Sequence, residues 1–315
     1  MCVYEGSRFL PDQLRSIAAQ TRPPDECIFC DDHSLDESVQ YLVKFAEGVP
    51  FSCTIERNSV NLGTTKNFEK AISLCSHEIV VLADQDDVWK PDKLRRIEEM
   101  FLASEETAAV FSDGDLIDFE SRPLAGTLWR SFGLNRAQQR QFAAGGGMKV
   151  ILKHPVVTGS TLAFRRKFCD LLLPIPSIQV HDYWISLLLA ACADMRPMAQ
   201  RLIQYRRHSG QQIGPGKLKL LEQFAVARAT GPEFYRLEIE RLRLVRERLA
   251  EQSRTFPVKD EILNLIDRKI AHRNLRANLP RTPGLRYPAI IREALRGNYR
   301  DYSEGWKSVA KDLAG

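Results

Sequence analysis

The sequence predicts an α/β protein, with a mostly parallel sheet flanked by helices and a helical appendage at the C-terminal end. Two observations support this prediction. Over the first 120 residues, short apolar runs alternate with stretches in which apolar residues recur three and four positions apart. Strands separated by helices of this length form βαβ units with parallel strands. Beyond residue 216, Leu-, Arg- and Glu-rich helical patterns continue without a strand signal.

The elements of the first half follow one another in a regular order. Helical periodicity predicts helices over residues 9–19, 35–46, 64–75 and 92–102. Apolar runs predict strands over Glu26–Cys30, Phe51–Glu56, Glu78–Ala83 and Ala108–Phe111. The opening segment Met1–Gly6 has the pattern of a strand end and a turn, so we expect a first strand that a late start codon has shortened.

The periodicity weakens after residue 120. We expect a loop over residues 120–150, where three glycines follow one another at Gly145-Gly146-Gly147. The elements expected after it are a loop and strand over Val156–Phe164, a helix over Asp182–Cys192 and a strand over Met198–Tyr205. The change of composition near Gly214 predicts a first domain over residues 1–214 and a basic helical region over residues 215–315.

The net charge of +5 averages two unlike segments. Residues 201–315 contain 24 Lys and Arg against 13 Asp and Glu, a net charge of +11, whereas the first 200 residues contain 21 against 27, a net charge of −6. This asymmetry predicts different roles for the two segments. The basic segment is either a solvated helical appendage or a peripheral contact with anionic lipid. It contains no recognisable nucleic-acid-binding motif.

Composition excludes several classes of protein. A chain of 315 residues with 44% apolar and 27% charged residues is globular rather than disordered. No apolar run approaches the ~18 residues that a membrane-spanning helix needs. Seven irregularly spaced cysteines predict a reducing compartment rather than a disulfide framework. We therefore expect a cytoplasmic protein, with peripheral binding to the inner face of the plasma membrane as a further expectation.

An acidic cluster directly follows the fourth predicted strand. Asp84, Asp86 and Asp87 place three carboxylates within four residues, and they repel one another unless a cation lies between them. A hard divalent ion, Mg²⁺ or Mn²⁺, held by one or two carboxylates and by substrate phosphates, fits this pattern. The alternative is a solvated acidic turn that precedes the helix near Pro91.

Two further polar clusters follow neighbouring strands. Asp32 comes after the second strand, and Asn61, Gly63 and Lys66 come after the third. Ligands of such sheets bind beyond the carboxyl ends of the strands, so these clusters are expected to converge with the acidic one. Backbone amides at a helix N-terminus suit a phosphate, and a carboxylate such as Asp32 can accept hydrogen bonds from a base or ribose. Together they predict a site for a nucleoside diphosphate with a metal.

These motifs resemble those of family 2 glycosyltransferases with the GT-A fold. Met1–Trp89 is similar to the nucleotide-binding half of that family, which is Rossmann-like, and the resemblance continues to about residue 210. The last motif, Asp84-Gln85-Asp86-Asp87-x-Trp89, resembles the DXD motif of its rhamnosyltransferase-like bacterial members. The matching motifs before it are Cys2-x-Tyr4-x-Gly6, Phe9-Leu10 with Gln13-Leu14, Ser16-Ile17-x-x-Gln20-Thr21, Asp31-Asp32-x-Ser34-x-Asp36 and Asn61-x-Gly63.

The resemblance implies a role for each matching position. His181-Asp182-Tyr183-Trp184 resembles the family's [EH]-D-x-x-W segment, whose acid is the catalytic base, here Asp182. The implied metal ligands are Asp86 and His208, whereas Asp87 supports the turn. The implied acceptor contacts are Gly159, Ser160 and Trp184. The implied nucleotide-sugar contacts are Tyr4, Glu5, Asp32, Asn61, Gly63, Lys66, Asp84 and Gln85.

The function implied by the resemblance is a metal-dependent, inverting sugar transfer. The donor is expected to be a dTDP- or UDP-linked sugar, with rhamnose as the first candidate. The acceptor is expected to be a hydroxyl of a cell-surface glycan on a lipid carrier. Two alternatives remain open from the residues alone: a nucleotidyltransferase, which also uses an acidic metal site on an α/β sheet, and a degenerate module that binds nucleotides or glycans without catalysis.

Overall fold

The computed structural model describes residues 1–208, 231–280 and 282–314. The predicted domain boundary at residues 214 and 215 lies outside these ranges. The first half consists of alternating strands and helices, as the periodicity predicts. The strands are β1 (Cys2–Val3), β2 (Glu26–Asp31), β3 (Ser52–Arg57) and β4 (Ile79–Val81). The helices are α1 (Leu10–Ala18), α2 (Ser38–Gly48), α3 (Thr64–Leu74) and α4 (Lys93–Leu102).

The strands form two sheets rather than one. The first is parallel, in the order β1-β2-β3. The second contains β4 and four further strands in the order β4-β8-β6-β9-β5, and β7 pairs with β6 outside this path. Its additional strands are β5 (Val88–Trp89), β6 (Thr107–Ile117), β7 (Pro123–Thr127), β8 (Leu162–Arg165) and β9 (Asp194–Arg206).

The predicted α/β class, with flanking helices and a helical C-terminal region, is confirmed, but the second sheet is mixed rather than mostly parallel. Only β6 and β9 are parallel in this sheet, and the β4–β8, β6–β8, β6–β7 and β5–β9 pairs are antiparallel. An apolar run predicts a buried strand but carries no information on the direction of its neighbours. The run Ala108–Phe111 is buried on both faces of the sheet whichever way its neighbours point.

The segment 120–150 is also ordered rather than a loop. It contains β7, and then the helices α5 (Leu128–Ser131), α6 (Arg136–Gln141) and α7 (Gly147–Lys153), with an irregular turn at Phe142–Gly146. Asn135 and Gln138 form a capping box at the start of α6. The side chains of Trp129, Phe142 and Ile151 are buried in the main core. Long-range packing thus orders a stretch whose local periodicity is weak.

Two further helices complete the first part of the chain. α8 spans Cys169–Leu172 and α9 spans His181–Cys192. α9 is nearly apolar all round, and most of its residues are buried, including Trp184, Leu187 and Leu188. A helix that is apolar on every face belongs in the interior of a large domain. It therefore fixes its first turn, with Asp182, against the sheet.

The C-terminal region is helical, as predicted, and packs onto the first part. Its helices are α10 (Pro232–Glu251), α11 (Asp260–Ala277), α12 (Pro283–Leu295), α13 (Asn298–Tyr302) and α14 (Trp306–Ala314). Leu242, Val245 and Leu249 of α10 and Ile266 of α11 belong to the same buried cluster as Trp184. Because this cluster is shared, α10 and α11 form part of the main core rather than a separate appendage. Among the described residues, no helix combines the length and hydropathy needed to cross a bilayer.

A buried polar network holds the C-terminal helices together. His272 of α11 is fully buried, with Nδ1 2.8 Å from Glu293 Oε1 and Nε2 2.8 Å from Ser303 Oγ. Arg276 donates two hydrogen bonds to the carboxylate of Asp312, of 2.7 and 2.8 Å. Burial, followed by the charges of Arg276, Arg273 and Lys269, lowers the pKa of His272 to about 2.

The low pKa of His272 predicts a loss of stability in acid. The unfolded chain takes up a proton near the ordinary histidine pKa of 6.5, whereas the native state does not, so this contribution is lost as the pH falls below that value. Between pH 7 and pH 5 we expect it to lower the free energy of unfolding by about 2 kcal/mol. Urea unfolding of the wild type and of His272→Gln at both pH values measures the effect. Parallel pH profiles of the two proteins would contradict it.

Candidate active site

The acidic cluster lies where β4 leaves the sheet. Leu82 and Ala83, which follow β4, are buried, and the chain then turns with Asp84. Ligand oxygens of Asp84, Asp86 and Asp87 all lie within 4.8 Å of one another. The intervening Gln85 points away from them and fixes the neighbouring turn after β1. Its side chain accepts from Tyr4 N at 2.8 Å and donates to Tyr4 O at 2.9 Å.

The end of β9 holds this acidic turn in place. Asp87 is fully buried and accepts a hydrogen bond of 3.0 Å from Arg206 N. The guanidinium of Arg206, itself 1% exposed, donates to Asp86 O at 2.8 Å and to Ser121 Oγ at 2.7 Å. Two residues further on, His208 Nε2 lies 2.8 Å from Asp86 Oδ2. Arg206 thus organises the loop, and Asp86 and His208 come together.

The donor set of the turn fits a hard divalent ion. Carboxylate oxygens of Asp84 and Asp86 with an imidazole nitrogen of His208 are ligand types that Mn²⁺ accepts, and carboxylates with phosphates suit Mg²⁺. Burial, and then the negative charges of Asp86 and Asp182, raise the pKa of Asp84 to about 7. The negative charges at this point repel one another, and a bound cation would reduce that repulsion.

A buried lysine lies behind the acids. Lys93 is fully buried, and its Nζ donates to Ser160 O at 2.7 Å and lies 3.9 Å from the ring centroid of Trp89. Burial lowers the pKa of Lys93 to about 7, although the charges of Asp87 and Asp84 oppose this shift. Lys93 therefore connects the acidic turn to the backbone of the segment that contains Gly159.

Asp182 faces the acidic turn from the first turn of α9. Its Oδ2 accepts a hydrogen bond of 3.1 Å from Gly159 N. A Cβ on Gly159 would lie 2.9 Å from His181 Nε2 and 3.6 Å from Asp182 Cβ, so only glycine permits this approach. His181 is buried, and its ring stacks on Phe68 at 3.9 Å between centroids. Stacking and close backbone contact together fix the direction of Asp182.

The predicted acceptor residues lie in different surroundings. Gly159 contacts Asp182 through its backbone N–H. Ser160 is fully buried and offers its carbonyl to Lys93 rather than to the cleft. Trp184 is fully buried, and its Nε1 donates to Leu172 O at 2.8 Å. The prediction that Trp184 contacts an acceptor is corrected, because this side chain has no surface facing the cleft and serves the core.

The predicted nucleotide contacts divide into two groups. The residues that line the cleft are Tyr4, Asp32, Asn61, Gly63, Asp84 and Gln85. Lys66 instead pairs with Glu69 at 2.7 Å, and Glu5 accepts a hydrogen bond of 2.8 Å from Leu35 N. Neither of these two side chains lines the cleft. The i,i+3 spacing of Lys66 and Glu69 on the predicted helix 64–75 favours this ion pair, which the motif comparison does not take into account.

Asp32 has an internal role that the sequence does not indicate. Its carboxylate accepts hydrogen bonds from Leu62 N at 2.7 Å, from Gly63 N at 2.9 Å and from Asn58 Nδ2 at 2.8 Å. The side chain is buried, with 2% of its surface exposed. Asp32 therefore shapes the loop before α3, at the point where that loop meets the cleft.

Comparison with known proteins decides the family. The sequence model described as Glycosyl transferase family 2 matches residues 1–171, more than half of the chain. The chain belongs to this family. It is a transferase enzyme, and its fold is of the GT-A type.

Two curated proteins are similar to this glycosyltransferase. It is 26% identical over 229 residues to the uncharacterized glycosyltransferase alr2836 of a Nostoc species. The matched region covers 72% of this chain and 69% of that protein. It is 25% identical over 227 residues to the dTDP-rhamnosyl transferase RfbG of Shigella flexneri, covering 68% of this chain and 73% of that protein.

Solved structures share the fold of this glycosyltransferase. S. aureus TarS 1–349 in complex with UDP-GlcNAc superposes with a TM-score of 0.57 at 15% identity, over 99% of this chain and 87% of that chain. A longer TarS structure is covered over 42% of its length. The mannosyltransferase PcManGT from Pyrobaculum calidifontis, in complex with GDP-Man and Mn²⁺, gives 0.50 at 17% identity, over 99% of this chain and 83% of that chain.

The cleft of this glycosyltransferase is lined by more of the chain than the matched motifs cover. Its volume is about 2350 Å³, and its walls include residues of α10, α11 and α14 besides the acidic turn. Motif matching missed Asn67, which donates to Cys30 O at 2.8 Å, and it missed the C-terminal lining altogether. One signal was present: Lys269, Arg273 and Arg276 are spaced by four and three residues, which places them on one face of a helix.

Proposed function

We propose that this glycosyltransferase is a metal-dependent, inverting enzyme that moves rhamnose from a dTDP- or UDP-linked donor to a hydroxyl of a lipid-linked cell-surface glycan. The observation that carries the proposal is the position of Asp182 opposite Asp84 and Asp86. These three carboxylates line one cleft, and the charge of Asp182 contributes to the raised pKa of Asp84. A base on one wall and a metal site on the other leave room for an acceptor and a donor between them.

The acidic turn would hold the metal. Asp86 and His208 are the proposed ligands, and Asp84 and Gln85 lie at the same turn beside the donor. The ion, when bound, stabilises the negative charge that develops on the departing diphosphate. The proposed donor contacts in the cleft are Tyr4, Asp32, Asn61 and Gly63. Lys66 and Glu5 are left out of the donor site, because neither side chain lines the cleft.

Asp182 would act as the general base. Its carboxylate takes the proton of the acceptor hydroxyl as that oxygen attacks the anomeric carbon of the donor. The bond from the anomeric carbon to the diphosphate oxygen breaks on the opposite face, so the configuration inverts. The N–H of Gly159 holds one carboxylate oxygen at 3.1 Å, which leaves the other oxygen for the acceptor.

The similarity to RfbG supports rhamnose and a dTDP carrier as the first donor to test, since that relative is named a dTDP-rhamnosyl transferase. The neighbours of known structure contain UDP-GlcNAc and GDP-Man, which supports a nucleotide sugar as the class of donor. The Mn²⁺ bound to one of them supports a divalent cofactor, Mg²⁺ or Mn²⁺. The lipid-linked acceptor and a location at the inner face of the plasma membrane are proposed from the basic C-terminal region.

Thermal-shift measurements with nucleotide sugars test this proposal. We expect dTDP-rhamnose or a UDP-sugar to raise the Tm in the presence of Mn²⁺ and to lose most of this effect in EDTA, because a bound ligand stabilises by mass action. Slow release of free sugar in the presence of the donor should accompany binding. Pyrophosphate release from a nucleoside triphosphate would instead favour a nucleotidyltransferase, and binding without sugar release or transfer would favour a non-catalytic module.

A further inference from the structure

The cleft extends past Asp182 into the C-terminal helices. Burial raises the pKa of Tyr183, the next residue, and the charges of Glu238, Arg273 and Arg241 are near enough to act on it as well. Arg241 itself is anchored by its Nε, which donates to Ile178 O at 2.6 Å, just before α9. The C-terminal wall of the cleft therefore begins directly beside the proposed base.

Charge changes sign along this cleft. In the part of the lining contributed by residues 1–208, the carboxylates Asp32, Asp84, Asp86 and Asp182 outnumber a single cation, Lys153. In the part of the lining contributed by the described residues after 230, there are seven Lys and Arg side chains and three carboxylates. The donor end is acidic and suits a metal ion, whereas the C-terminal end suits an anion.

Three cations of α11 form the centre of the C-terminal end. Arg276 is held by Asp312, and Arg273 lies 2.8 Å from Glu238 at the closest N–O distance. Lys269 is 1% exposed, and the hydrogen bond recorded for its Nζ goes to the neutral carbonyl of Tyr302, at 2.8 Å. Lys269 is therefore a buried basic group that lies near Arg273 and Arg276 and also near Glu238.

The pKa shifts of two lysines reflect burial first and the balance of nearby charges second. Burial lowers the pKa of Lys269 well below its ordinary value; the charges of Arg273 and Arg276 lower it further, and the charge of Glu238 opposes them. Lys311 of α14 also has a lowered pKa, from burial and then from Arg276, although the charges of Asp312 and Glu304 oppose this shift. A negatively charged ligand between these residues would remove the repulsion that both lysines experience.

We propose that this cationic end, built around Lys269, Arg273, Arg276 and Lys311, binds a phosphate group of the acceptor substrate and so places the acceptor hydroxyl beside Asp182. The inference rests on the proposed function and adds the chemical class of the acceptor. Arg guanidinium groups bind phosphate oxygens in pairs, and Lys supplies a compact point charge, so the residue types match this ligand.

The geometry favours a phosphate within the cleft over a membrane surface. A lipid bilayer is contacted by exposed side chains, whereas Lys269, Arg273 and Arg276 are all less than a tenth exposed. Two of them are also held in place by carboxylates, as is usual for a preorganised anion site rather than for a mobile basic surface. Contact with anionic lipid alone is an outcome that the test below separates.

Calorimetric titration with inorganic pyrophosphate in EDTA at low salt tests the site. Without a metal, the acidic donor end repels this probe, so binding reports on the cationic end. We expect Lys269→Met and Lys311→Gln each to raise the Kd about tenfold, the usual loss for one hydrogen bond to a charged group. Lys259→Gln is the matched control, because Lys259 is exposed and lies outside the cleft, and we expect its Kd to stay within about twofold.

Lys269→Met is a sound variant because it removes a buried charge and leaves no carboxylate unpaired. Equal weakening in all three variants, or absence of pyrophosphate binding to the wild type, would overturn the proposal. A second overturning result concerns phosphatidylglycerol vesicles. It is co-sedimentation of the protein with these vesicles that pyrophosphate does not prevent, and that Lys259→Gln and Lys311→Gln weaken to the same extent.

Binding of UDP with Mn²⁺ separates this inference from the proposed function. We expect Lys269→Met to bind UDP and Mn²⁺ like the wild type, since its cation lies on the acceptor side of Asp182. Loss of UDP binding in Lys269→Met would assign the cations to the donor diphosphate and overturn the inference. If the wild type itself failed to bind any nucleotide or nucleotide sugar, the proposed function would fail, whatever the result with pyrophosphate in EDTA.

Discussion

Asp182→Asn is expected to reduce sugar transfer by about 10²–10⁴-fold while it leaves donor binding unchanged. The amide cannot take the acceptor proton, but its oxygen can still accept the hydrogen bond from Gly159 N. The cleft should therefore keep its shape. Transfer assayed by product formation, together with the Kd of UDP in the presence of Mn²⁺, measures the two effects separately.

Asp170→Asn provides the matched control for this substitution. Asp170 also lies in the first turn of a helix, α8, but it is exposed and does not line the cleft. We expect full activity from Asp170→Asn. Transfer by Asp182→Asn at the wild-type rate would refute the assignment of the base, and a parallel loss of UDP binding would place Asp182 in the donor site instead.

Asp86→Asn is expected to weaken metal-dependent binding of the nucleotide by at least about 100-fold. The substitution removes one carboxylate charge at the point where ligand oxygens of three acids lie within 4.8 Å. The amide that replaces the carboxylate is neutral, so it cannot bind the ion together with His208 as the negatively charged Asp86 would. Titration of Mn²⁺ in the presence of UDP, followed by calorimetry, measures the loss.

The matched control here is Asp92→Asn, which removes a partly exposed carboxylate at the start of α4, outside the cleft. It should bind Mn²⁺ and UDP like the wild type. A variant Asp86→Asn that kept wild-type Mn²⁺ affinity would show that another set of ligands holds the ion. Equal affinity of the wild type for UDP in Mn²⁺ and in EDTA would refute the dependence on a metal.

Local pattern was sufficient to predict the first third of the fold. The helices α1 to α4 lie within two or three residues of their predicted bounds, because each combines an apolar face with clear turn residues at its ends. The segment 120–150 was predicted wrongly as a loop. Its buried residues Trp129, Phe142 and Val150 are too far apart in sequence to form one local pattern and are brought together by the core.

The site was predictable wherever a residue follows a strand directly. Asp32 follows β2 directly, and Asp84 follows the buried run that continues β4, so each was expected beyond the end of a strand. Both line the cleft, although β2 and β4 belong to different sheets. Trp184 shows the limit of this reasoning. It lies two residues after Asp182, but helical geometry turns it by roughly 200° around α9, away from the cleft and into the core.

By itself, the sequence determined the alternating elements, the acids at the strand ends and the charge asymmetry between the two parts of the chain. Only the tertiary structure decided the direction of the strands in the second sheet, and only it placed Lys269, Arg273 and Lys311 in the cleft that Asp182 lines. The physical reason is the range of the interactions. Periodicity and turn chemistry act over a few residues, whereas strand pairing and the shared core of α9 and α10 join residues far apart in the chain.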